Sequence, residues 1–162
     1  KALGASVIAA DISDAALELA TQQGATATVN SKDTDLVEAV RELTDGGVHV
    51  SVDALGIAAT CTSAINSLRK RGRHLQIGLT SRAEEGQIAL PIDAMVLQEL
   101  SFVGAANMPI SRFPDMMRMV QNGVLDPASA ITQTVGLEQA REVLQSMGSF
   151  ATPGISVLND WA

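Results

Sequence analysis

Ser6-Val7-Ile8-Ala9-Ala10-Asp11, followed at once by Ile12-Ser13-Asp14, is the stretch from which the rest of the chain can be read. Val7 to Ala10 form a short apolar run bounded by polar residues, which is the pattern of a buried strand rather than of a helix. The run closes on a carboxylate. Ser13 or Asp14 can then cap a helix by accepting a first-turn backbone N–H. In that helix Leu17 and Ala20 face inward, and Gly24 ends it because glycine takes the left-handed conformation without steric cost. Ala27–Val29 follows as a brief second strand.

The same alternation continues outward. Thr34-Asp35 opens a helix in which Leu36, Val37, Val40 and Leu43 recur on one face, closed by Asp45-Gly46-Gly47. Val48–Leu55 reads as a strand with valine at every second place. A helix follows, with Ile57, Cys61, Ala64, Ile65 and Leu68 on one stripe and Arg69-Lys70-Arg71 in its last turn, where cations complement the helix dipole. Arg73–Leu79 is the next strand, then a loop over 80–90, a helix near Asp93–Glu99 and the strand Ser101–Ala105. Two amphipathic helices come after, carrying Phe113, Met116, Met117 and Val120, then Ala140, Val143, Leu144 and Met147. Met116, Met117 and Met119 read as core packing, and Ile155–Leu158 as a last short strand. Repeated strand–helix–strand units imply an α/β fold, a doubly wound parallel sheet with helices on both faces and a C-terminal helical lobe.

Composition removes several function classes. Of 162 residues 46% are hydrophobic and 18% charged, which argues against disorder. Eleven Lys and Arg against eighteen Asp and Glu give a net charge of −7, which argues against nucleic acid, as does an aromatic content of 2%. No apolar run approaches the ~18 residues of a membrane span. A single cysteine, Cys61, precludes an internal disulfide and fits a reducing, cytoplasmic compartment. With only His49 and His74 besides, no zinc cage is expected, and both histidines read as structural.

Chemistry in an open α/β sheet sits beyond the carboxyl ends of the strands. Asp11 stands there, placed to accept both hydroxyls of an adenosine ribose. The plainer reading is that it only helps Ser13 and Asp14 start the helix. Ile12, Ser13 and Asp14 offer no cation for a 2′-phosphate, so the local field favours NAD over NADP. Other strand ends, Ala54-Leu55-Gly56, Ile77-Gly78-Leu79 and Gly104-Ala105-Ala106, are rich in small residues that let backbone approach a flat ligand. Leu55, Ile77 and Leu79 supply apolar walls. No nucleophile–base pair and no carboxylate pair stands out.

Taken in order, Lys1-Ala-Leu-Gly-Ala-Ser-Val-Ile-Ala-Ala-Asp-Ile-Ser13, Leu17-Glu-Leu-Ala20, Gly24-Ala25, Val52-Asp-Ala-Leu-Gly56, Gly72-Arg-His-Leu-Gln-Ile-Gly78 and Gly123-Val-Leu-Asp-Pro127 resemble the medium-chain, zinc-type alcohol dehydrogenase superfamily. The resemblance implies NAD(P)-dependent hydride transfer between an alcohol and a carbonyl, acting on a small alcohol or aldehyde, and the field around Asp11 selects NAD. It implies that Asp11 is the ribose acid and that Leu55 and Gly56 flank the nucleotide. Ile77, Gly78, Leu79, Ala105 and Asn107 would hold the nicotinamide ring and its carboxamide. Ala16 stands where the family often has a basic residue, and Thr152-Pro153-Gly154 where it often has an arginine.

By the same resemblance, a first strand with its Gly-x-Gly-x-x-Gly turn belongs before Lys1, in the gap between the strand ending at Asp11 and the one ending near Leu55. Residues 1–106 would be an incomplete NAD-binding, Rossmann-type domain lacking that strand. Residues 107–162 would pack on a catalytic domain that carries the zinc, which this chain would not itself bind. The chain thus reads as the cofactor-binding portion of a longer enzyme, inert alone. Strand 101–105 is expected at the sheet edge, where the family pairs two subunits into a homodimer. The alternatives are a zinc-free quinone or enoyl reductase of the same superfamily, a non-enzymatic binding module and an S-adenosylmethionine-dependent methyltransferase. The last should close its sheet with an antiparallel hairpin.

Overall fold

The computed structural model describes residues 1–148 and 154–160; Thr152 and Pro153 lie outside the described residues. The chain divides into two compact units, one of residues 1–32 with 109–162 and one of residues 33–108. Among the described residues all strand pairs in both are parallel.

In the first unit, strand β1 (Ile8–Asp11), helix α1 (Asp14–Gln22) and strand β2 (Ala27–Asn30) form one strand–helix–strand turn, with Asp11 opposite Asn30 in the ladder. Ser13 caps α1, its Oγ accepting from Ala16 N at 3.4 Å. Gly24, at φ +92°, turns the chain out of the helix. The N–H groups of Gly24 and Ala25 return to the carbonyls of Thr21 and Ala20, both at 2.9 Å, so the helix leaves few carbonyls unpaired. Leu17 and Val29 are buried between helix and strands.

The second unit holds α2 (Leu36–Thr44), β3 (Val48–Asp53), α3 (Ala58–Asn66), β4 (Leu68–Gln76), α4 (Ile92–Leu97) and β5 (Ser101–Gly104), in sheet order β3-β4-β5. Asp35 caps α2 by accepting from Glu38 N at 3.0 Å. Val40, Cys61, Ile65 and Leu68 are its buried apolar residues, joined by the imidazole of His74. The strands are shorter at their carboxyl ends than the sequence suggests. β3 stops at Asp53 and β4 at Gln76, so Leu55 and Ile77–Leu79 are turn residues.

Arg69-Lys70-Arg71 does not close a helix. α3 stops at Asn66, and the trio lies on β4. Gly47 explains this: a Cβ there would lie 2.6 Å from Arg69 N, so only glycine lets the two backbones come this close. Val48 N then donates to Ser67 O at 2.9 Å, and Leu68 enters the ladder opposite Val48. Ladder pairing and burial of Leu68 outcompete another helical turn. The next pair is Val50 with Arg73, so residues 69–72 bulge out, with Arg71 at φ +63°. Lys70 and Arg71 both pair with Glu99, at 3.2 and 2.8 Å; the pairs are exposed and contribute little to stability.

The rest of the first unit contains α5 (Phe113–Gln121), β6 (Ile131–Gly136), α6 (Ala140–Gly148) and β7 (Ile155–Asp160), with β6 and β7 paired. β6 has no counterpart in the sequence reading; its signal is the β-branched run Ile131-Thr132, Thr134-Val135 rather than alternating hydrophobicity. The methionines of α5 do not form a closed core. Met116 and Met119 are half-buried and Met117 is exposed, and Met116 and Met117 line an open cavity of about 620 Å³ with Val120 and Leu125.

Candidate functional site

The carboxyl ends of β3 and β4 are held together by one buried carboxylate. Asp53, the last residue of β3, is 4% exposed. Its Oδ1 accepts from Leu55 N at 3.0 Å, Gly56 N at 3.2 Å and Thr60 Oγ1 at 3.0 Å. Its Oδ2 accepts from Gly56 N at 3.2 Å and from Gln76 Nε2 at 2.8 Å. Burial pushes the Asp53 pKa up, but the Gln76 amide, the Leu55 and Gly56 N–H groups and the Thr60 hydroxyl together outweigh it and hold it below the ordinary carboxylate value. The group is therefore a fixed anion that shapes the 53–56 turn.

That turn meets the chain leaving β4 backbone to backbone. Ile77 N and Gly78 N both donate to Asp53 O, at 2.9 and 3.0 Å. Gly56 sits at φ +86°, and a Cβ on it would fall 2.0 Å from Leu79 O; a Cβ on Gly78 would fall 2.5 Å from Gly56 N. Both positions are closed to any side chain. The structure thus brings Leu55, Gly56, Ile77, Gly78 and Leu79 into one cluster. Leu55 and Ile77 are exposed, and Leu79 is 89% exposed, so apolar side chains stand on a rigid turn. Ala105, just past β5, joins by donating to Gln76 O at 2.9 Å. Asn107, two residues on, takes a left-handed φ of +56°.

Asp11 belongs to the first unit and ends β1 as expected. Its Oδ1 accepts from Ser13 N at 2.9 Å, which is the plainer, helix-starting role. Its side chain is exposed, and Oδ2 makes no hydrogen bond among the described residues, so one oxygen stays open to a ligand. The two roles are compatible.

Sequence reasoning missed Asp53, Thr60 and Gln76, which build the cluster without standing at its surface. A signal existed. His74 and Gln76 are two apart on a strand and so share a face, and an acid three residues before a glycine is turn chemistry. His74 is 1% exposed, with Nδ1 2.9 Å from Ser51 Oγ, Nε2 3.0 Å from Gln76 Oε1, and its ring 5.1 Å from that of Phe102. His49 is exposed and meets Arg69 at 2.7 Å. Among the described residues no group of three His, Cys, Asp or Glu is placed to hold a metal ion.

Comparison with known proteins adds the family. The model for zinc-binding dehydrogenases matches residues 1–122. The chain is 28% identical, over 96% of its length, to an NAD-dependent alcohol dehydrogenase of Saccharolobus solfataricus, of which it covers 43%. It is 28% identical, over 98% of its length, to a sorbitol dehydrogenase of Bacillus subtilis, of which it covers 44%. In structure it resembles a benzyl alcohol dehydrogenase of Acinetobacter calcoaceticus, with a TM-score of 0.84 and 25% identity over 96% of this chain and 44% of that one. The chain therefore spans less than half the length of these relatives. The α/β, Rossmann-type class read from the sequence is the fold it shares with them. By the extent of the match and the order of its elements, the chain belongs to the zinc-binding dehydrogenase family.

Proposed function

We propose that this chain is the cofactor-binding portion of an NAD-dependent oxidoreductase that interconverts a small alcohol and its aldehyde or ketone by hydride transfer. The observation that carries the reading is the locked turn pair, 55–56 against 77–79, which presents exposed apolar side chains on rigid backbone at the carboxyl ends of parallel strands. Such a surface suits the flat face of a nicotinamide, and rigid backbone carbonyls and N–H groups suit its carboxamide. Leu55 and Gly56 flank the nucleotide; Ile77, Gly78, Leu79, Ala105 and Asn107 hold the ring. Asp11 takes the adenosine ribose through its open oxygen, and the absence of Lys or Arg over 12–16 favours NAD over NADP. Bound NAD supplies the hydride acceptor. The residues of this chain orient it and exclude water from one face.

In this reading residues 1–106 form the nucleotide-binding portion, and 107–162 pack on a catalytic domain that carries the zinc and the acid–base groups. This chain binds no zinc itself and is inactive alone. β5 is hydrogen-bonded to β4 alone within its sheet and exposes Phe102 and Val103, which suits pairing with a second copy into a homodimer. A cytoplasmic location accords with the lone free cysteine, and no described helix is long and apolar enough to cross a membrane. The methyltransferase alternative loses its footing, because every ladder among the described residues is parallel and the family is that of dehydrogenases. The test is the natural full-length protein with NAD and a panel of primary alcohols, secondary alcohols and polyols. NADH formation with at least one, lost on chelation of zinc, supports the proposal. Turnover of quinones or enoyl substrates with NADPH, and of no alcohol, would replace it with the zinc-free alternative.

A further inference from the structure

Gln76 is nearly encircled by partners that fix which way its amide lies. Asp53 Oδ2 at 2.8 Å and Gly78 O at 2.9 Å are both acceptors, so the nitrogen must face them. The amide oxygen then faces His74 Nε2 at 3.0 Å, and that ring nitrogen must carry the proton. His74 Nδ1 is left as an acceptor, and Ser51 Oγ, 2.9 Å away, donates to it. A directional chain follows: Ser51 hydroxyl to His74, His74 to Gln76, and Gln76 to Asp53 and Gly78 together. Among the described residues no buried side-chain polar atom is left without a partner. Gln76 is thus the side chain that ties the turn after β3 to the turn after β4, while its own carbonyl receives Ala105 N at 2.9 Å.

We infer that Gln76 is a positioning residue for the nicotinamide half of the cofactor, holding Gly78 and the 53–56 turn at the spacing that half requires. The inference rests on the reading that 55–56 and 77–79 face the nicotinamide. It does not require Gln76 to touch the ligand. A methionine at 76 matches the length but cannot donate, so Asp53 Oδ2 and Gly78 O would both lose a partner. A glutamate keeps the shape but sets a second carboxylate beside Asp53; one proton shared between them re-forms the contact to Asp53 and leaves Gly78 O facing an acceptor.

The two halves of the cofactor separate the inference from its foundation. Binding of NADH and of ADP-ribose, which lacks the nicotinamide, is measured by calorimetry on the natural full-length protein and its variants. For Gln76→Met the dissociation constant for NADH is expected to rise about tenfold, while that for ADP-ribose stays within about twofold. For Gln76→Glu the same selective loss is expected at about pH 8, with NADH affinity recovering in part toward about pH 6 and ADP-ribose not following. Gln76→Glu also serves if Gln76→Met fails to fold. Equal weakening of both ligands, or of neither, overturns the positioning role. A wild-type protein that binds neither ligand overturns the nucleotide reading, and the inference with it.

Discussion

Asp53 and Gly56 show how a few atoms set the shape of the site. Asp53→Ala would strip partners from two backbone N–H groups, the Thr60 hydroxyl and the Gln76 amide, and should cost about 3 kcal/mol in urea unfolding. Because the folded-state pKa of Asp53 lies below its unfolded value, its contribution is fully present above the unfolded value. It is lost as pH falls through the lower, folded one. The acid limb of the wild-type stability profile should therefore flatten in Asp53→Ala. Gly56→Ala meets both a positive φ and a carbonyl oxygen 2.0 Å from the new Cβ; it should cost about 2 kcal/mol or more and lower the thermal midpoint. At Asp11, replacing Asp11→Gly together with Ile12→Arg should shift preference from NADH toward NADPH, read as the ratio of their dissociation constants. The placement of Asp11 at a strand end and of Gly56 and Gly78 in turns was legible because acids at strand ends and glycines at turns carry local signals. Asp53 and Gln76 were not, because their meaning depends on a contact 23 residues apart.

At the scale of elements, local pattern located nearly every helix and strand of the described residues but misjudged where some end. The stripe Ile57, Cys61, Ala64, Ile65, Leu68 continues helical spacing one turn too far, since periodicity cannot see Gly47 bringing another strand against Leu68. β6 escaped because its residues are β-branched but half polar, and so carry no hydrophobic period. Edge strand β5 carries a prediction of its own. Ala105 N donates to Gln76 O, so by alternation the N–H of Val103 also faces β4, while those of Phe102 and Gly104 face outward. Proline at Val103 would break the β4–β5 ladder itself. Gly104→Pro removes only an outward donor, and a Cβ there meets nothing within 4 Å. That variant should keep its circular dichroism yet sediment as a monomer, against the dimer proposed for the wild type; unchanged assembly would rule out pairing through β5.

Across the whole molecule, the parallel ladders, the family match over residues 1–122 and the clustered strand ends in residues 33–108 are the observations on which the proposed NAD site rests. The class of fold was readable from alternating strands and helices. The family was readable only once the ordered motifs were taken together, because no one of them is specific. A titration of the natural full-length protein with NADH and with NADPH, followed by calorimetry, tests this most directly. The account predicts saturable binding of NADH, tighter than that of NADPH, and its loss in Gly56→Ala. No saturable binding of NADH, or tighter binding of NADPH, would contradict it.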